Sequence, residues 1–174
     1  MNLTIYKEYF EGLAKKKLFG HDPEQEIHRF NFLRSSIKSL HGLIQDLTAL
    51  NLMVYEPRLQ RRLEGGVFRD YYQCDFELYQ RCDMDDEAME LAIKTEAQIK
   101  AGKLFFKVLH DFHEAYDTGA IFPIGQPVGD SFSGQYYAGA GDDNEVGFAF
   151  QMLIKADAGF NQPGTLIDSN DWLD

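Results

Sequence analysis

Residues 85–117 read DDEAMELAIKTEAQIKAGKLFFKVLHDFHEAYD, the longest periodic segment of the chain. An aspartate pair followed by glutamate opens it. Asp85 is the expected N-cap, with Asp86 and Glu87 in a first turn where negative charge suits the helix dipole. Gly119 is the expected stop just past the end. Ala88, Ala92, Ile99, Phe106, Leu109, Phe112 and Tyr116 recur at steps of three, four or seven. That spacing predicts that they form the buried stripe of a helix. At ~1.5 Å per residue the helix would be on the order of 50 Å long. A break near Ala101 and Gly102, or an overhanging end, is expected. The mid-helix glycine should cost roughly 1 kcal/mol against alanine.

Residues 67–82 on the N-terminal side read VFRDYYQCDFELYQRC. Phe68, Tyr72, Cys74, Phe76, Leu78 and Cys82 hold even positions, and Arg69, Gln73, Asp75, Glu77 and Arg81 hold odd ones. Such alternation marks an antiparallel strand with one face on a core. Gly65-Gly66 signals the turn that pairs it with 51–63, a piece that Pro57 interrupts. On the C-terminal side, 121–131 reads as a loop or irregular edge with two prolines. Residues 132–138 and 146–155 read as a second strand pair around the tip 139–145. Val146, Phe148, Phe150, Met152 and Ile154 share one face of the last strand.

Farther out, Thr4 is the expected cap of a first helix over 5–18, with Tyr6, Tyr9, Phe10, Leu13 and Lys17 at helical spacing and Gly20 as its end. Residues 21–26 read as a polar loop, 27–33 as an extended piece, and 35–40 as a helical one. Residues 157–174 form an acidic, turn-rich tail. The fold class that results is α+β: an antiparallel sheet of two strand pairs packed on one long central helix, with an N-terminal helix. One domain over 1–156 and the tail account for the whole chain.

The chain has 174 residues and a formal net charge of −11, which argues against a nucleic-acid-binding surface. No apolar run approaches the ~18 residues that a bilayer span needs, so no membrane partner is expected. Cys74 and Cys82 sit on one strand about 26 Å apart, beyond disulfide reach. Free thiols without an export signal point to synthesis in a reducing cytoplasm.

Candidate chemistry is sparse. His110, His113 and Glu114, joined by Asp117, could offer a transition metal one helix face. The glutamate that follows the first histidine in a zinc-protease helix is missing, however, and cationic histidines also suit a helix C-terminus. Gly141-Asp142-Asp143 is ordinary hairpin-tip chemistry. Gly139 and Gly141 do not make a phosphate cradle. Cys74 and Cys82 read as buried structural thiols. No catalytic residue and no cofactor are expected. Arg58, Arg61, Arg62 and Arg69, with Tyr71, Asp142, Asp143 and Trp172, are the candidate contacts between subunits.

From Phe68 onward the chain resembles the tail-terminator and tail-completion proteins of tailed bacteriophages and prophages. The segments that carry the resemblance are YYQCDFELYQRCD, DDEAMELAIKTEAQIKAGKLFFKVLHDF and SGQYYAGAGDDNEVGFAFQMLI. It implies a structural, non-enzymatic subunit that forms a homo-oligomeric ring, often a hexamer. Its implied partners are copies of itself, the tail tube and head–neck proteins. The implied location is the virion, after assembly in the bacterial host cytoplasm. Two other readings stand beside it. One is a small intracellular metal protein or enzyme using the His110, His113 and Glu114 face. The other is a small-molecule or peptide-binding module using the loop 121–131.

Overall fold

The computed structural model describes residues 1–14, 30–33, 50–82, 85–138 and 145–156. Its elements run α1 (Leu3–Ala14), β1 (Phe30–Leu33), β2 (Asn51–Tyr55), β3 (Arg58–Glu64), β4 (Val67–Arg81), α2 (Glu87–Asp117), β5 (Gln126–Pro127), β6 (Ser133–Ala138) and β7 (Glu145–Lys155). The expected α+β class, the N-terminal helix, the long helix and the sheet are all present. The segments 15–29, 34–49, 83–84, 139–144 and 157–174 lie outside the described residues. With them lie the expected helix end at Gly20, the helical piece 35–40, the hairpin tip and the tail.

The strand β4 organises the sheet. Its first half pairs antiparallel with β3 through the Gly65-Gly66 turn, from Arg58 opposite Gln73 to Glu64 opposite Val67. Its second half pairs with β2, from Asn51 opposite Tyr79 to Val54 opposite Phe76. Pro57 cannot donate to a ladder, so one long strand is broken there into β2 and β3. The expected hairpin of 51–63 with 67–82 is therefore present. The second pair, β6 with β7, is present too.

The two pairs are not separate. β4 and β7 lie side by side in an eleven-residue register from Tyr71 opposite Lys155 to Arg81 opposite Glu145. One sheet of seven described strands results. At its far edge β1 runs parallel to β2, a pairing that the expectation of an all-antiparallel sheet did not contain.

Both helices cover the even-numbered face of β4 and β7. Cys74, Phe76, Leu78, Val146, Phe148, Phe150, Met152 and Ile154 are buried beneath them. Phe76 stacks on Phe150 at 5.0 Å, and Phe10 of α1 lies 4.8 Å from Phe76. Each such ring contributes on the order of 1.5–3 kcal/mol by leaving water. The helices are also tied to one another, because Tyr9 Oη donates to Asp111 Oδ2 at 2.8 Å. Cys74 and Cys82 are free, buried thiols as expected, and burial pushes the Cys74 thiol up to about 12.

Several details of the helices differ from expectation. Asn2, not Thr4, caps α1, since its Oδ1 accepts from the amides of Thr4 and Ile5. Asp86, not Asp85, caps α2 by accepting from Met89 N at 2.9 Å. Gly119 ends α2 with φ 70°, as expected. The helix passes through Ala101 and Gly102 without a break. A Cβ on Gly102 would meet nothing within 4 Å, so no neighbour among the described residues uses the gap.

The buried stripe of α2 is also not the predicted one. Ile93, Ala97, Ala101, Leu104, Phe105 and Val108 are buried. Ala88, Ala92, Ile99, Phe106 and Tyr116 are exposed, and Leu109 and Phe112 are half-buried. The helix is apolar on two sides, and the sheet takes the side that the spacing of three, four and seven did not single out.

Candidate functional site

The odd-numbered face of the sheet, turned away from the helices, holds the molecule's notable concavity. The ladder sets its rows. One row runs Met53, Glu77, Ala149 and Gln135 across β2, β4, β7 and β6. A second runs Asn51, Tyr79, Gly147 and Tyr137. A third runs Asp75, Gln151 and Ser133. Ala149 and Gly147 keep the middle of these rows low, while longer side chains stand on either side.

The resulting cavity measures about 750 Å³ and is lined by Tyr55, Glu56, Arg58, Asp75, Glu77, Gln135 and neighbouring residues. Three carboxylates face one guanidinium there. Both oxygens of Asp75 are occupied. Arg58 Nη2 donates to Oδ2 at 2.6 Å and Gln73 Nε2 to Oδ1 at 2.8 Å. Gln151 Nε2 donates to Ser133 Oγ at 2.9 Å.

Glu77 is different. Burial pushes its carboxyl above the ordinary range, the nearby Asp75 charge adds to that, and the phenols of Tyr55 and Tyr137 draw it back down. Among the described residues no cation pairs with it. Tyr137 Oη is itself buried and stays short of full hydrogen-bond geometry. Burial and the Glu77 charge both raise the Tyr55 and Tyr137 phenols, so both remain protonated. Tyr55 and Tyr137 pack around Met53 and Tyr79 as a small apolar cluster beside the carboxylate.

The histidine face is partly assembled. His110, Asp111 and Glu114 bring ligand atoms within 4.8 Å of one another. His113 is not in that group, and its ring lies against Phe112 at 5.5 Å. Asp111, which the sequence reading passed over, already binds Lys107 and the Tyr9 hydroxyl. A metal at Oδ1 would have to displace Lys107, while the Tyr9 contact that joins α1 to α2 is made by Oδ2.

The arginine group lies on the β3–β4 hairpin and is largely engaged within it. Arg58 binds Asp75, Arg61 binds Asp70 at 2.7 Å, and Arg69 approaches Glu64 at 3.7 Å. Arg62 lies 5.8 Å over the Tyr71 ring. Tyr71 is buried and donates to Glu64, so its ring offers no contact surface. Asp142, Asp143 and Trp172 lie outside the described residues. The loop 121–131 packs Ile124 into the core, and none of its residues lines the cavity.

The cavity was missed in the sequence because it belongs to five strands at once. Tyr79 and Glu77 at odd positions of β4, with the small Gly147 and Ala149 opposite them on β7, are the signals that could have revealed it. The face opposite the helices is not simply a solvated one.

No known family model matches the chain, and no curated protein is significantly similar to it. Among the described helices none is long and apolar enough to cross a membrane.

Proposed function

We propose that this chain is a non-enzymatic structural subunit that assembles with copies of itself, in the role that the tail-terminator resemblance implies: a ring that caps a phage tail tube and joins it to the head. The observation that carries this reading is the exposed apolar surface of the β3–β4 hairpin. Leu59, Leu63 and Phe68 are 60%, 63% and 69% exposed and share one face, since Leu63 stands directly opposite Phe68. Contiguous apolar surface of this kind marks an interaction site.

A second patch supports the same reading. Leu91, Ile99 and Phe106 lie exposed along the outer side of α2. Two different apolar patches on one subunit suit a head-to-tail contact, the type that closes rings. The engaged arginines of the hairpin then act as a polar rim, which sets orientation more than strength.

Sedimentation velocity on the wild type and on the double variant Leu63→Glu, Phe68→Glu tests the reading. The wild type should sediment as an assembly and the variant as a folded monomer. Unchanged sedimentation of the variant would contradict the proposed contact.

A further inference from the structure

We infer that the cavity on the odd-numbered sheet face is a binding site for a small molecule bearing a cationic nitrogen, with Glu77 as its counter-ion and Tyr55 as its aromatic wall. This inference is independent of the assembly reading, which uses the hairpin and the outer side of α2. It also moves the expected small-molecule module from the loop 121–131 to another surface.

Four observations converge. First, the cavity, at about 750 Å³, falls within the range of small-molecule sites. Second, its lining is anionic, with Glu56, Asp75 and Glu77 against Arg58 alone. Third, the lining already spends its guanidinium on Asp75, at 2.6 Å. Glu77 is left as the carboxylate that no described cation neutralises. A half-buried carboxylate held only by neutral phenols still lacks a counter-charge, and an arriving ammonium or guanidinium would supply it. Fourth, Tyr55 lines the cavity, and its hydroxyl, with that of Tyr137, reaches Glu77. Tyr55 and Tyr137 bracket the Met53 and Tyr79 cluster beside it. Aromatic faces attract cations, most strongly where water is excluded.

The arrangement also disfavours other ligand classes. An anion would meet three carboxylates. A purely apolar ligand would leave Glu77 without a counter-charge. A planar guanidinium suits it well, because a carboxylate accepts two parallel N–H bonds.

Agmatine, which carries a guanidinium at one end and an ammonium at the other, is the probe. Isothermal titration calorimetry on the full chain should show saturable binding with one agmatine per subunit. The variant Glu77→Gln keeps the shape and loses the charge, and should bind at least tenfold more weakly. A second variant, Gln135→Lys, sets a cation on the cavity wall at an exposed position and should likewise weaken binding at least tenfold. This keeps the test decisive if Glu77→Gln fails to fold. No saturable binding to the wild type, or equal binding by wild type and a folded variant, would overturn the inference.

Discussion

Glu77 illustrates how a residue's neighbours decide its chemistry. The groups facing it are Tyr55 from β2, Asp75 from β4 and Tyr137 from β6. Its carboxyl is raised in the folded chain, so the native state holds that proton more tightly than the unfolded chain does. Stability from this group is therefore fully present at acid pH, and it is lost as pH rises from the ordinary carboxylate range through the raised value. Glu77→Gln should raise the melting temperature at pH 7.5, and the gain should shrink to nothing near about pH 4. Thermal melts at the two pH values check this. Gly147 depends on its neighbours in a different way. A Cβ there would land on the Leu78 carbonyl oxygen and the Tyr79 backbone. Gly147→Ala should cost about 2 kcal/mol or more in urea unfolding, since the obstacle is backbone rather than a movable side chain. Which residues face the core was legible in β4 and β7 from parity alone. The environment of Glu77 was not, because it is made by strands far away in sequence.

At the scale of the element, α2 shows where periodicity stops being decisive. Its ends were readable from the acidic start and Gly119, to within one residue at the cap. Its buried side was not, because apolar residues occupy two opposite sides. Phe105 and Phe106 are adjacent, yet Phe105 is buried and Phe106 is 69% exposed. Only the sheet surface that α2 meets distinguishes them. Phe105→Ala should cost about 3–5 kcal/mol in chemical unfolding. Phe106→Ala should change the stability of the monomer by less than about 0.5 kcal/mol. If Phe106 belongs to the subunit contact, its removal should weaken assembly while leaving the monomer intact. Comparable losses of monomer stability at both positions would contradict the orientation of the helix.

For the whole molecule, the order of elements was legible because each carries its own signal: the alternation of β4 and β7, the Gly65-Gly66 turn and the break at Pro57. The union of the two hairpins along β4 and β7 was not, since no local residue specifies which strand edges meet. That union creates both surfaces on which function is proposed. It leaves the β3–β4 hairpin projecting with Leu59, Leu63 and Phe68 bare, and it shapes the cavity on the opposite face. The central claim is that these bare surfaces are covered by other copies of the chain. Native mass spectrometry of the purified protein at high concentration tests it most directly. A discrete closed assembly at one integer multiple of 20.0 kDa is the predicted result. A strict monomer at every concentration would contradict it.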